Sequence, residues 1–130
     1  MNEVMTPISF GELIDKITIL EIKSERITDE AKLKNIRYEL GLLSSVWQQH
    51  NNDKTDISPQ WKALREINSK LWIIEDDIRD LERDGDFGES FIALARAVYL
   101  TNDERSNVKR DINITLGSTV VEEKSYANYS

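Results

Sequence analysis

Apolar residues recur every three or four positions along most of this chain, and that spacing constrains the fold more than any other feature. A period near 3.6 suits a helix with one buried side, and no strand can use it. The cleanest run is Leu64, Ile67, Leu71, Ile74, Ile78 and Leu81. Phe10, Leu13, Ile14, Ile17 and Leu20 repeat in the same way, as do Leu33, Ile36, Leu40, Leu43 and Trp47. A fourth stripe runs through Phe91, Leu94, Val98, Thr101, Arg105, Val108 and Ile112. The spacing predicts helices over about 9–26, 29–50, 59–84 and 89–116.

Local signals agree with these limits. Ser9 followed by Glu12 fits a capping box. Thr28 is placed to cap the second helix, with Asp29 and Glu30 at its positive end. The polar run NNDKTDI over 51–57 is the main loop, and Ser58 with Pro59 opens the third helix. Gly85 and Gly117 end the third and fourth. The expected fold is an all-α four-helix bundle over residues 1–117 with coiled-coil-like packing. The segment 118–130 follows as an irregular tail, either loose or laid over the bundle.

Composition narrows the function. A chain of 130 residues supports one domain and needs no covalent staple. There is no Cys, hence no disulfide, thiolate zinc site or cysteine nucleophile, and one His, His50, is too few for histidine-rich metal sites. The net charge of −7 argues against nucleic acid and anionic membrane surfaces as partners. With no 18-residue apolar run and no signal-peptide pattern at the N-terminus, a cytoplasmic location is expected. Phosphate-binding glycine motifs and a serine-nucleophile elbow are missing from the sequence. No cofactor is expected.

The informative positions are those where the apolar pattern breaks. Glu21 and Ser24 fall on the apolar face of the first helix, and Glu25 lies at its edge. Thr101 and Arg105 occupy stripe positions of the fourth, with Asn102 beside them, while Asn68, Glu75 and Glu82 flank the stripe of the third. A buried charge is costly unless paired, so Arg105 is expected to face Glu21 or Glu75. The functional reading is a polar pocket of Glu21, Ser24, Glu25, Glu75, Asn102 and Arg105; the structural one is an ion pair without ligand. Ile19 and Ile22 add a second apolar side to the first helix. Trp61 and Trp72 lie off the main stripe of the third. These four suggest a dimer or partner surface, or else a core that is broad within one chain. The pairs Glu12/Asp15 and Asp77/Asp80 have the i,i+3 spacing of helical magnesium-binding pyrophosphohydrolases. Acidic residues fill 24 of 130 positions, however, so such pairs arise by chance and no metal ligand is assigned. His50 is read as a helix-end residue.

The strings ISFGELIDKITILEIKSERI, GDFGESFIALARAVYLTNDERSNVKRDIN and VEEKSY resemble a small bacterial and phage all-helical domain family of unknown function. The resemblance runs from about Ile8 to Tyr126. Phe10 stands where that family's SPGEL-type start has proline. The resemblance implies that LTNDERSNVKR and VEEKSY are hallmark segments, and it implies an association with surface-polysaccharide and glycosyltransferase genes. It assigns no catalytic residue. The opening IDKITILEIKSERI also echoes helical chorismate mutases, which need several converging cations; Arg26 and Arg37 fall off the apolar faces, so the echo is that of any charged amphipathic helix.

The expected function is an accessory or protein-interaction module without catalytic residues, working with a protein partner or as a homodimer. The alternative is a small-molecule binder or enzyme using the charged pocket, such as a magnesium-dependent nucleotide pyrophosphohydrolase.

Overall fold

In a computed structural model of the chain, residues 2–51 and 54–129 are described. Met1, the Asn52–Asp53 part of the expected loop and Ser130 of the expected tail lie outside the described residues. Four helices follow in order: α1 Phe10–Arg26, α2 Glu30–His50, α3 Ser58–Asp84 and α4 Glu89–Leu116. They pack into an all-α four-helix bundle, with no strand among the described residues.

The caps follow the local chemistry, with two corrections. Ser9 Oγ accepts from the Glu12 N–H at 3.1 Å, as expected for a serine N-cap. The second helix is capped by Asp29 and not by Thr28: Asp29 Oδ1 accepts from the N–H groups of Ala31 and Lys32. The carboxylate is the stronger acceptor and carries charge that suits the positive end of the helix. Ser58 lies inside α3 with Ile57 before it, and Asp56 accepts from the Ser58 N–H at 2.9 Å. Gly85 and Gly117 end α3 and α4 at φ 70° and 65°, the left-handed region that favours glycine.

α1 is the hub: it packs against α2, α3 and α4, while α3 and α4 form an antiparallel hairpin with each other. Leu13, Ile14, Ile17, Leu64 and Ile112 share the main core with Ile57; Leu20, Leu33 and Ile36 form a second cluster between α1 and α2. Eight of the 17 residues of α1 are buried, over most of its circumference, while Lys16 on the remaining side is exposed. This explains its second apolar face: helices of the same chain surround it. Phe10, Trp47 and Trp61 close one end of the core with ring centroids 6.0–6.3 Å apart.

At 1.5 Å per residue α3 and α4 are each about 40 Å long and α1 about 25 Å. The far half of the hairpin therefore outruns α1, and no residue between Ile74 and Thr101 is buried. Beyond Gly117 the chain is extended and runs back along α4. Glu122 reaches Lys109, Glu123 reaches Arg110, and Tyr129 reaches Asp103 and stacks on Tyr99.

Candidate functional site: a charged seam and the groove beside it

The seam between α1, α3 and α4 is held by polar side chains inside the core. Asp15 is only 1 % exposed, because it lies where α1 packs against α3 and α4. A lone carboxylate there would be prohibitively costly. Its Oδ1 accepts from Arg105 Nε at 2.9 Å and from Asn68 Nδ2 at 3.0 Å, and its Oδ2 is paired with Arg105 Nη2. Asn68 also donates to Thr18 Oγ1 at 3.1 Å, and Thr18 donates to the Asp15 carbonyl at 2.9 Å. Arg105 accordingly titrates above its ordinary value, chiefly through its hydrogen bonds to Asp15.

One turn along α4 the pattern repeats. Lys109 Nζ lies 2.6 Å from Glu12, 3.9 Å from Asp15 and 3.5 Å from Glu122 of the tail. Burial works to raise the Glu12 pKa, but the hydrogen bond and charge of Lys109 outweigh it and hold Glu12 below its ordinary 4.5. A further turn on, Asn113 Oδ1 accepts from the Gly11 N–H at 2.6 Å. Gly11 lets the two helices meet: a β-carbon there would overlap the Lys109 carbonyl.

The structure divides the six residues expected to form one pocket. Arg105 faces Asp15, not Glu21 or Glu75. Glu75, Asn102 and Arg105 line one groove together with Ile19, Ile22 and Trp72. Its volume is about 430 Å³. Glu21 lies elsewhere: it accepts from Trp61 Nε1 at 3.2 Å and pairs with Arg65 at 3.4 Å. Glu25 pairs with the same Arg65, and Ser24 donates to the Glu21 carbonyl at 2.6 Å. Of the four residues expected at an interface, Ile19, Ile22 and Trp72 line this same groove and Trp61 lies apart from it. Ile22 is the buried one of the three, and Trp61 packs against the core while lining a second cleft. Ile19 and Trp72 are half-buried in the groove wall.

Other expectations can be placed as well. Glu12 and Asp15, spaced for a divalent cation, are spent on Lys109 and Arg105. Asp80 pairs with Arg83 on the surface and Asp77 is exposed. No group of three or more His, Cys, Asp or Glu among the described residues is arranged to hold a metal ion. Arg37, Arg65 and Arg105 each pair with different carboxylates and do not converge on one site. His50 Nδ1 lies 2.9 Å from the Val46 carbonyl, closing its own helix end. No helix among the described residues is long and apolar enough to cross a membrane.

With this geometry in view, a comparison of families is decisive: residues 4–129 match the model of DUF6165, a family of unknown function. The chain belongs to that family. The match takes in the whole DUF6165 seam, from Gly11 to Asn113, and the tail that returns to Lys109. No curated protein and no solved structure matches the chain.

Sequence reasoning met Asp15 only as half of an acidic pair and missed its place as the buried partner of Arg105; it missed Gly11 and Asn113 altogether. A signal for Asp15 was present: it lies among Leu13, Ile14, Ile17 and Thr18 on a helix with apolar residues on two sides, which leaves a carboxylate no face to water. Gly11 carried a weaker one, as a poor helix former inside a first turn. Asn113 carried none, because its role depends on which turn of α4 crosses α1.

Proposed function

We propose that this chain is a non-catalytic interaction module that receives apolar side chains of a protein partner in the groove between α1, α3 and α4. One observation carries the reading. The groove combines an apolar wall of Ile19, Leu71 and Trp72 with a charged rim, at the foot of a hairpin whose far half is covered by no other helix. The polar groups behind it are engaged with one another, so Arg105 works as a strut that fixes the groove wall. A rigid, half-apolar groove lowers the entropy lost on binding.

Charge indicates the kind of partner. Residues 75–89 hold eight acidic side chains and two arginines, a net −6 in a chain of net −7. Two such arms repel each other, which disfavours a second copy. A helical segment with apolar anchors flanked by Lys or Arg is complementary in both respects.

The test uses two labelled 18-residue amphipathic helical peptides, one of Leu and Lys and one of Leu and Glu, followed by fluorescence anisotropy. The basic peptide is expected to bind saturably and to lose most of its affinity to the Trp72→Ala variant. Equal binding of both peptides, or unchanged binding to Trp72→Ala with its helical circular dichroism intact, would overturn the reading.

A further inference from the structure

A further cleft among the described residues belongs to neither the seam nor the groove. It lies between the end of α2, residues 54–58 and the start of α3, has a volume of about 600 Å³, and shares no lining residue with the groove. That size is ordinary for a small-molecule site. Trp47 and Trp61 form its aromatic wall, half-buried, with centroids 6.0 Å apart and planes inclined by 59°. The Trp61 indole is fixed by its N–H bond to Glu21.

The cleft inverts the charge of the chain. Lys54, Lys62 and Arg65 line it against Glu21 and Asp56, three cations to two acids, where the chain as a whole is at −7. The acids are already engaged, Glu21 by Trp61 and Arg65, and Asp56 by the Ser58 N–H and hydroxyl. Arg65 is taken up by Glu21 and Glu25. Among the described residues, Lys54 and Lys62 enter no ion pair. Two aromatic faces beside two uncommitted ammonium groups match a flat ring that carries a negative group.

We infer that the Trp47–Trp61 cleft is a binding site for a small planar ring bearing an anionic substituent, phosphate or carboxylate. The indoles take the ring and Lys54 with Lys62 take the anion.

The experiment is a tryptophan-fluorescence titration of the full chain in the Trp72→Phe background, so that the signal comes from Trp47 and Trp61. The probes are adenosine monophosphate, nicotinate, adenosine and inorganic phosphate. At least one of the first two is expected to quench saturably, and which one does so separates phosphate from carboxylate. Adenosine and phosphate, each with half of the chemistry, should bind about tenfold more weakly or not at all. Lys54→Gln and Lys62→Gln should each weaken binding about two- to fivefold, whereas Lys70→Gln, on an exposed lysine outside the cleft, should not. Three results would overturn the inference: no saturable quenching by either charged ring compound at millimolar concentration, adenosine binding as tightly as its monophosphate, or affinities indifferent to both cleft lysines. Because the two sites share no residue, this outcome and the peptide test stand or fall separately.

Discussion

Gly11 and Glu12 show how much one position in the seam decides. A methyl group at Gly11 meets the backbone carbonyl of Lys109, which cannot move aside as a side chain would. Gly11→Ala is therefore expected to destabilise the fold by about 1–3 kcal/mol, although alanine is the better helix former. Chemical denaturation checks this; a neutral or stabilising result would mean that α1 and α4 stand further apart. Glu12 gives the pH dependence. Its folded pKa lies below the ordinary 4.5, so its contribution is complete above that value and is lost as the pH falls through the folded pKa. Wild-type stability should decline below about pH 4.5, and Glu12→Gln should decline less steeply there while being less stable at pH 7. Urea midpoints measured across that range provide the comparison. Asp15 shows why such residues escape a reading of single stripes: a pattern of apolar positions marks a face, and a helix buried over most of its circumference gives little contrast against which a buried carboxylate stands out.

At the scale of elements, the ends of the helices were legible and the depth of burial along them was not. Gly85 and Gly117 stop their helices through local backbone conformation, which needs no tertiary partner. The six-residue stripe of α3, by contrast, promises uniform burial from Leu64 to Leu81, yet Leu64 and Ile74 are buried while Leu71, Ile78 and Leu81 are only half-covered. Two causes act: α1 is about two-thirds as long as α3 and cannot cover Ile78 and Leu81 on its far turns, and Leu71 lines the open groove. Leu64→Ala should accordingly cost about 2–5 kcal/mol, and Leu71→Ala clearly less. Thermal or urea denaturation of the pair distinguishes them; equal costs would show that the hairpin is covered in solution, by a partner or a second copy.

For the whole molecule, the question is what the returning tail contributes. Residues 119–129 are all exposed, and their contacts include two ion pairs with α4, a Tyr129 hydroxyl bond to Asp103, an edge contact with Tyr99 and a hydrogen bond between Glu122 and Glu12 of α1. Exposed pairs of this kind stabilise little and are screened by salt. Removing residues 119–130 should lower stability by no more than about 1 kcal/mol, and the loss should shrink at high ionic strength. Loss of cooperative unfolding in the shortened chain would instead make the tail part of the core. Helical period and caps are properties of neighbours along the chain, so the four helices, their ends and the second apolar side of α1 were legible in the residues alone. Contacts between helices set the rest: Arg105 pairs with Asp15, Glu21 and Glu75 belong to different clefts, and Trp61 lines one cleft beside the core while Trp72 lines the groove. Those outcomes depend on which turn of one helix crosses which turn of another, and a periodic pattern repeats itself every turn without marking the one that will be met.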